Sequence, residues 1–449
     1  MLSFFNRENS IANENHNRWL IPPAALAIHL SIGQVYSISV FNLPLSKLIG
    51  ITESTPDDWK LTTIGWIFSI AIVFLGLSAA IFGKWLEREG PRKAMFLAAC
   101  SFSGGFMLAS LGVYLHNIWL VYLGYGVFGG IGLGLGYISP VSTLMKWFPD
   151  RPGMATGLAI MGFGGGAMIG SPLAVNLMSY FSSDVSVGVW QTLVTMGILY
   201  FVLMSVGSLL VRIPPENWKP AGYTGQKSTS SFITNQHVDA DTALSTPQFW
   251  LLWAMLCLNV TAGIGVLSQA SPMIQEMFPD TVSVKTAAFF VAMLSFFNLI
   301  GRFLWSSYSD KIGRKTVYAI FFGLGLVLYT LVPTLGRLDS PYYFMAAFAV
   351  ILTMYGGGFS TIPAYLRDLF GTYQVGAIHG RLLTAWSTAG ILGPVLVNYI
   401  RQIQIESGVA PAQAYSVTMY IMAGLLVIGL ICNFTVKKVN ERHHMKKAS

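Results

Sequence analysis

One basic residue lies inside an apolar segment that is long enough to cross a membrane. Residues 286–308 read TAAFFVAMLSFFNLIGRFLWSSY and contain Arg302, whereas the polar run that includes Asp310 begins only at residue 309. A helix rises about 1.5 Å per residue, so Arg302 lies about 12 Å from Asp310 along the helix axis. A buried arginine costs about 2.5–3.5 kcal/mol even on the lenient insertion scale, and is kept where it faces a water-filled cavity or binds an anion. We interpret Arg302 as an anion site; the alternative is a side chain that snorkels to the lipid headgroups.

Three further polar residues lie inside apolar segments. Asn298 precedes Arg302 by one helical turn on the same face, where its amide could hydrogen-bond a second oxygen or a hydroxyl of the anion. Gln34 is another polar candidate. His29 is a tentative proton relay, because imidazoles change charge near neutral pH, and the alternative is a neutral, hydrogen-bonded packing histidine. No Asp or Glu lies in the middle of any predicted span, which disfavours a cation or drug exporter.

The composition indicates a polytopic membrane protein. The chain has 449 residues, of which 53% are hydrophobic and 10% are charged, against about 25% charged in an ordinary soluble domain. The three cysteines lie in apolar stretches, so no disulfide framework is predicted. The first nineteen residues have no apolar core and are expected to form a tail rather than a cleaved signal peptide.

Hydropathy predicts twelve transmembrane helices. They cover residues 20–48, 61–83, 94–115, 118–145, 155–181, 188–211, 248–278, 285–308, 316–336, 341–366, 374–400 and 413–436. The predicted organisation is a cytoplasmic tail (1–19), a six-helix half (20–212), a cytoplasmic linker (213–247), a second six-helix half (248–436) and a cytoplasmic tail (437–449). Of the 27 Lys and Arg residues, twenty-one fall on one side of these spans and five on the other, which places both termini in the cytoplasm.

The two predicted halves repeat one another at a spacing of 223 residues. The matched pairs are Glu87 and Asp310, Gly90 and Gly313, Pro140 and Pro363, Gly157 and Gly380, and Gly170 and Gly393. Two parallel repeats predict a substrate site near the membrane midplane, between the halves. Ala79 corresponds to Arg302, so the arginine breaks the repeat, as a substrate contact can and a packing residue usually does not.

A similar loop follows the second and the eighth predicted span. Each has an acid at a helix end, a glycine turn and clustered bases, and the residues predicted to form a cytoplasmic gate are Glu87, Arg88, Asp310 and Arg314. The alternative reading is that the charges set topology alone. Paired at the repeat spacing, the loops resemble the signature loop of the major facilitator superfamily, with Glu87 standing where Asp is usual. The resemblance implies an all-α membrane fold of two parallel six-helix repeats.

Other motifs resemble one branch of that superfamily, the oxalate/formate antiporters and monocarboxylate porters. They are a glycine-rich fourth span that runs into Tyr137, and the segments 33–37, 146–153 and 392–394. The branch carries small carboxylates, and the resemblance implies that Arg302 pairs with the substrate carboxylate. It also implies that the aromatic side chains of Tyr36, Tyr137, Tyr355 and Phe359 line the cavity; packing or interface anchoring is the alternative for each.

Two positions depart from the branch. Asn298 stands where monocarboxylate porters often have an aspartate. Trp386 stands where oxalate carriers have a second cationic residue, a lysine. One buried cation would leave a dianion under-compensated, so Trp386, as a cavity residue, favours a substrate with one carboxylate.

The sequence therefore predicts a proton-coupled secondary transporter of small organic monocarboxylates, such as lactate, pyruvate or formate, that works by alternating access. Alternatives are an oxalate/formate-type carboxylate exchanger and, from another class, a transport-inactive carboxylate sensor. We expect no enzymatic activity, cofactor, bound metal or nucleic-acid partner. The expected partners are the carboxylate, protons and the bilayer, and the expected form is a monomer in the plasma membrane, which is the inner membrane if the cell is Gram-negative.

Overall fold

The computed structural model describes residues 5–216, 218–220, 233–234, 236–338 and 340–445, with the backbone alone for residues 61, 62, 268, 271, 284, 285 and 288. In these ranges the backbone is helical apart from turns, loops and two isolated bridges, Ile11 with Ile213 and Ser183 with Ser186. Eleven of the described helices are long and apolar enough to span a membrane, and a bent pair makes a twelfth. The all-α, twelve-span prediction is confirmed.

The spans are numbered α1 to α12 in chain order. They are α1 (Arg18–Ser37 with Ser39–Leu45), α2 (Leu61–Glu89), α3 (Pro91–Tyr114), α4 (Ile118–Trp147), α5 (Pro152–Phe181), α6 (Val189–Leu210), α7 (Pro247–Met277), α8 (Val284–Ile312), α9 (Arg314–Leu335), α10 (Tyr342–Phe370), α11 (Val375–Leu382 with Thr384–Glu406) and α12 (Ser416–Thr435). The halves of α1 are bent by 46°, and α4 contains a π-helical stretch, Tyr122–Phe128.

Several helices continue past the apolar residues that predicted them. Three end at glycines with positive φ: α2 at Gly90 (94°), α8 at Gly313 (88°) and α10 at Gly371 (79°). A residue with a Cβ is strained in this conformation, so the glycine rather than the end of the apolar run terminates the helix. Hydropathy predicted ends four to six residues too early for α2, α8 and α10, because polar residues remain helical beyond the hydrocarbon core.

Contacts divide the chain into two compact units, which are described separately below. The first unit is residues 1–226 with 374–387, and the second is residues 227–373 with 388–449. The start of α11 thus packs with α1–α6. The predicted linker, 213–247, lies in part outside the described residues, as do the ends of both predicted tails; its described part holds a short helix, Ala240–Leu244, capped by Asp239.

Glycines bring helix backbones into direct contact in both units. In the first unit, a Cβ at Gly132 of α4 would lie 2.5 Å from the backbone nitrogen of Phe102 on α3. In the second unit, a Cβ at Gly301 of α8 would meet the backbone of Thr353 on α10. Small residues at such crossings allow close packing without a hydrophobic driving force from lipid. The crossing of α8 and α10 lies directly beside Arg302, the next residue along α8.

We expect Gly301→Ala to lower the apparent melting temperature of the purified protein, because backbone atoms that cannot move aside would clash with the new methyl group. The matched control is Gly323→Ala on α9, where nothing lies within 4 Å of the added Cβ. That control should be neutral or slightly stabilising, since alanine favours a helix over glycine by about 0.5–1 kcal/mol. Equal melting temperatures for the two variants would contradict the close crossing.

Candidate functional site

Arg302 is completely buried at a mid-helix position of α8. Its Nε donates a hydrogen bond of 3.0 Å to the amide oxygen of Asn298, one turn earlier on the same helix. The guanidinium carbon lies 5.1 Å from the ring centroid of Phe359, within the range of a cation–π interaction. The side chain is therefore directed along α8 towards Asn298, in the direction opposite to the polar residues that follow the span, which is not the snorkelling orientation.

The neighbouring helix α10 supplies the rest of this environment. Gly356 leaves room for α8, since a Cβ there would lie 2.7 Å from the Asn298 amide oxygen and 3.1 Å from Cγ of Arg302. The hydroxyl of Ser360 donates to the carbonyl of Arg302 at 2.6 Å, which ties the two helices together. The rings of Tyr355 and Phe359 meet edge to face at 5.3 Å. The structure thus brings together four sequence-predicted residues, Arg302, Asn298, Tyr355 and Phe359, in the second unit.

Asn259 on α7 is a polar residue of the second unit that the sequence analysis missed. It is buried, and its amide oxygen has no hydrogen-bond partner among the described residues. It lies against Gly358 and lines, with Tyr355, a cavity of about 10 Å³, which is about the room needed by one water molecule. The sequence carried a signal for it, because Asn259, like Asn298, is an asparagine inside an apolar span, where a buried polar side chain is costly.

The other three predicted cavity aromatics meet in the first unit. The indole of Trp386 lies 5.4 Å from the ring of Tyr137 and 6.3 Å from that of Tyr36. Phe163 of α5 completes this aromatic cluster, at 5.3 Å from Trp386. Tyr137, Phe163 and Trp386 are fully buried. Sequence reasoning missed Phe163, although it is a lone aromatic residue within a glycine run.

Gln34 and His29 lie on α1 of the same unit. The amide oxygen of Gln34 accepts a 3.0 Å hydrogen bond from the hydroxyl of Tyr125 on α4. Tyr125 is not part of the aromatic cluster, so this hydrogen bond is separate from the contacts of Trp386. His29 stacks on Tyr137 with ring centroids 5.2 Å apart. Both of its ring nitrogens face backbone carbonyls, those of Ala159 and of Tyr137 (3.1 Å).

Three of the four predicted gate residues belong to charged clusters, Glu87 in the first unit and Asp310 with Arg314 in the second. In the first, Glu87 accepts hydrogen bonds from Lys146 (2.7 Å) and Ser142 (3.0 Å) of α4. It also lies beside the first turn of α11, where a Cβ at Gly376 would be 2.5 Å from its carboxylate oxygen. Arg88 does not join this cluster: its side chain is 76% exposed and pairs with the adjacent Glu89.

The cluster of the second unit is more buried. Arg314, with its side chain 5% exposed, pairs with Asp310 at 2.6 Å and with Asp368 of α10 at 3.1 Å. It also donates to the hydroxyl of Ser309. One guanidinium therefore links the turn between α8 and α9 to the end of α10. In the described residues, no group of three or more His, Cys, Asp or Glu side chains has an arrangement that could hold a metal ion.

The twelve spans define a polytopic membrane protein, and buried polar groups at mid-helix are typical of a transporter. Comparison with known families gives the same result, since the model of the Major Facilitator Superfamily matches residues 18–394 and 270–449. The chain belongs to the Major Facilitator Superfamily.

Two relatives and one solved structure show which members of that family the chain is similar to. The chain is 24% identical to the oxalate:formate antiporter of Oxalobacter formigenes, over 84% of this chain and 83% of the relative. It is 23% identical to apicoplast pyruvate carrier 1 of Toxoplasma gondii, over 88% of this chain and 79% of the relative. The fold matches a structure of the Escherichia coli fucose:proton symporter FucP with a TM-score of 0.64 at 15% identity, covering 94% of this chain and all of FucP. The branch resemblance inferred from sequence is confirmed.

We expect Arg314→Ala to destabilise the protein strongly, because Asp310 and Asp368 would lose the cation between them. Removing one partner of a buried ion pair typically costs about 3–5 kcal/mol. Arg88→Ala is the control from the matching loop, and an exposed pair is worth only about 0–1 kcal/mol. Thermal unfolding monitored by tryptophan fluorescence distinguishes the two. A melting temperature for Arg314→Ala as high as that of Arg88→Ala would show that the buried cluster contributes little.

Proposed function

We propose that this transporter carries small organic monocarboxylates, such as lactate, pyruvate or formate, and that their carboxylate binds Arg302. The observation that carries the proposal is the complete burial of a guanidinium at mid-helix, hydrogen-bonded to the neutral amide of Asn298. An amide oxygen orients the guanidinium and leaves its positive charge in place. A small anion bound there would pair with the guanidinium at a depth where burying a charge is costly.

The side chains around Arg302 suit a carboxylate. A guanidinium presents parallel N–H donors that match the two oxygens of a carboxylate. Because Nε is engaged by Asn298 and the guanidinium lies against Phe359, its plane is held before the substrate arrives. A pre-organised fork loses less conformational freedom on binding than a free side chain does.

Trp386 supports one carboxylate over two. The resemblance to oxalate carriers implies a lysine at this position, and here an indole is buried among Tyr137, Phe163 and Tyr36. A dianion in this chain would meet Arg302 without that second cation, whereas a monoanion is matched by it. The second candidate, oxalate/formate exchange, is favoured by the similarity to the Oxalobacter antiporter.

The family and the charge pattern support the remaining features of the proposal. Transport proceeds by alternating access, coupled to protons, without a cofactor or a nucleic-acid partner. The protein acts as a monomer in the plasma membrane with both termini in the cytoplasm, the side that carries most of the Lys and Arg residues. The gate residues of each unit lie next to loops predicted to face the cytoplasm.

We expect Arg302→Ala to abolish carboxylate uptake while leaving a monodisperse, folded protein. Arg302→Lys should restore little, because an ammonium group keeps the charge but lacks the planar pair of donors. The assay is counterflow of labelled pyruvate, lactate and formate in proteoliposomes, with thermal unfolding as the folding control. Normal uptake kinetics in the alanine variant would refute the assignment of Arg302.

Changing Trp386 tests charge selectivity. We expect Trp386→Lys to raise the ratio of oxalate to formate binding, because an unmatched buried charge costs about 3–5 kcal/mol, about a hundred-fold or more in affinity. Trp386→Met is the matched control, since methionine is similar in length to lysine and enlarges the site without adding a charge. Both ratios are measured at one pH and compared with wild type.

Two outcomes of that comparison would count against the selectivity proposal. A wild-type ratio that already favours oxalate would support the exchanger instead. Equal ratios in the lysine and methionine variants, with both folded, would show that position 386 does not contact the substrate.

A further inference from the structure

His379 is a buried histidine that the function described so far does not use. It lies on the first segment of α11 and is completely buried. Neither of its ring nitrogens has a hydrogen-bond partner among the described residues. A neutral imidazole carries one donor and one acceptor, and buried polar atoms in native proteins are nearly always paired. A histidine with both nitrogens unpaired is therefore suited to gain a hydrogen-bond partner, or a proton, in another state of the protein.

His29 and His379 lie near the same ring but differ in their hydrogen-bond partners. Both imidazoles contact the ring of Tyr137, His29 at 5.2 Å and His379 at 5.9 Å between ring centroids. His29, however, has a backbone carbonyl oxygen at each nitrogen. A neutral ring can donate to only one of these carbonyl oxygens, and the two contacts together join α1 to α4 and α5. Of the two rings, His379 is the one free of such fixed acceptors.

The surroundings of His379 contain few groups that would fix its charge. Helix α2 packs against this segment through small residues, since a Cβ at Gly380 would meet the carbonyl of Ala79. Glu87 of α2 lies near the start of the segment and is engaged by Lys146 of α4. The other titratable groups that face His379 are Tyr137 of α4 and His29 of α1.

The same segment of α11 carries one charged residue of its own, the partly buried Arg381. Among the described residues, the ring of His379 is hydrogen-bonded to no carboxylate. Its charge can therefore change without the loss of a fixed ion partner.

We propose that His379 carries the proton that is transported together with a monocarboxylate. This inference rests on the proposed function of the preceding subsection. A proton from the side of higher acidity forms an N–H bond at the unprotonated ring nitrogen, so that one positive charge is carried along with the negative charge of one carboxylate, which stays bound to Arg302. After reorientation the N–H bond breaks, the proton passes to water on the other side, and the neutral ring is restored. One proton accompanies one monoanion, so each cycle moves no net charge.

The test uses the full-length protein in proteoliposomes with labelled pyruvate. Two quantities are measured: counterflow at equal pH on both sides, and accumulation driven by an acidic outer solution. One-to-one symport predicts about tenfold accumulation per pH unit in wild type. His379→Gln, whose amide keeps a donor and an acceptor but does not take up a proton near neutral pH, should retain counterflow within about threefold and lose gradient-driven accumulation.

His29→Gln is the matched control from the same cluster. It should lower the melting temperature, because it alters the contacts that join α1, α4 and α5, and should retain the response to the gradient. A second measurement follows the pH of an unbuffered sample when pyruvate is added. Wild type should take up about one proton per pyruvate bound at a pH above the ordinary imidazole range, about 6.5, and His379→Gln should take up none.

The outcomes separate this inference from the function on which it rests. Intact counterflow with unchanged accumulation in His379→Gln would overturn the role of His379 and leave carboxylate transport in place. Wild-type counterflow without accumulation or proton uptake would overturn proton coupling in the same way. Absence of counterflow for every carboxylate tested would overturn the proposed function itself. If His379→Gln does not fold, His379→Asn is used, and the wild-type proton uptake still decides between coupling and its absence.

Discussion

The burial of a guanidinium inside a membrane-length helix is the constraint on which the second unit depends. A charge at that depth needs hydrogen bonds and a polarisable surface, and α10 has to come close enough to provide them. Gly301 and Gly356 remove the side chains that would keep α8 and α10 apart. Phe359 then lies under the guanidinium, and Asn298 holds Nε. The glycines therefore shape the surroundings of Arg302 as well as the helix packing.

The two units contain different buried polar and aromatic groups although their sequences repeat. The second unit holds a cation with an amide and the ring of Phe359, and the first holds the aromatic cluster with two buried histidines. Their charged loops differ in the same way, since Glu87 pairs with Lys146 on the next helix but one, whereas Asp310 shares Arg314 with Asp368. A repeat preserves the backbone path, and substitutions at matched positions such as Ala79 and Arg302 give each half its own chemistry.

Much of this organisation can be predicted from the sequence because it depends on short-range geometry. Apolar runs fix the number of spans, and four-residue spacing places Asn298 with Arg302 and Tyr355 with Phe359 on shared faces. Contacts between helices are a different matter. Nothing in the periodicity of a single sequence shows that Asn259 approaches Gly358, that Phe163 joins Trp386, or that Arg88 remains exposed while Arg314 is buried. Helix ends were also misplaced, because a left-handed glycine, rather than the loss of hydrophobicity, terminates α2, α8 and α10.

We propose that Arg302 recognises the charge of a carboxylate rather than the shape of a small polar molecule. Calorimetric titration of the purified protein with lactate and with lactamide tests this directly, since the two differ little in size and lactamide lacks the charge. Hydrogen bonds to a charged group are worth about 1.5–3 kcal/mol, so lactate should bind at least about tenfold more tightly than lactamide. Equal affinities for the acid anion and its amide would contradict the account.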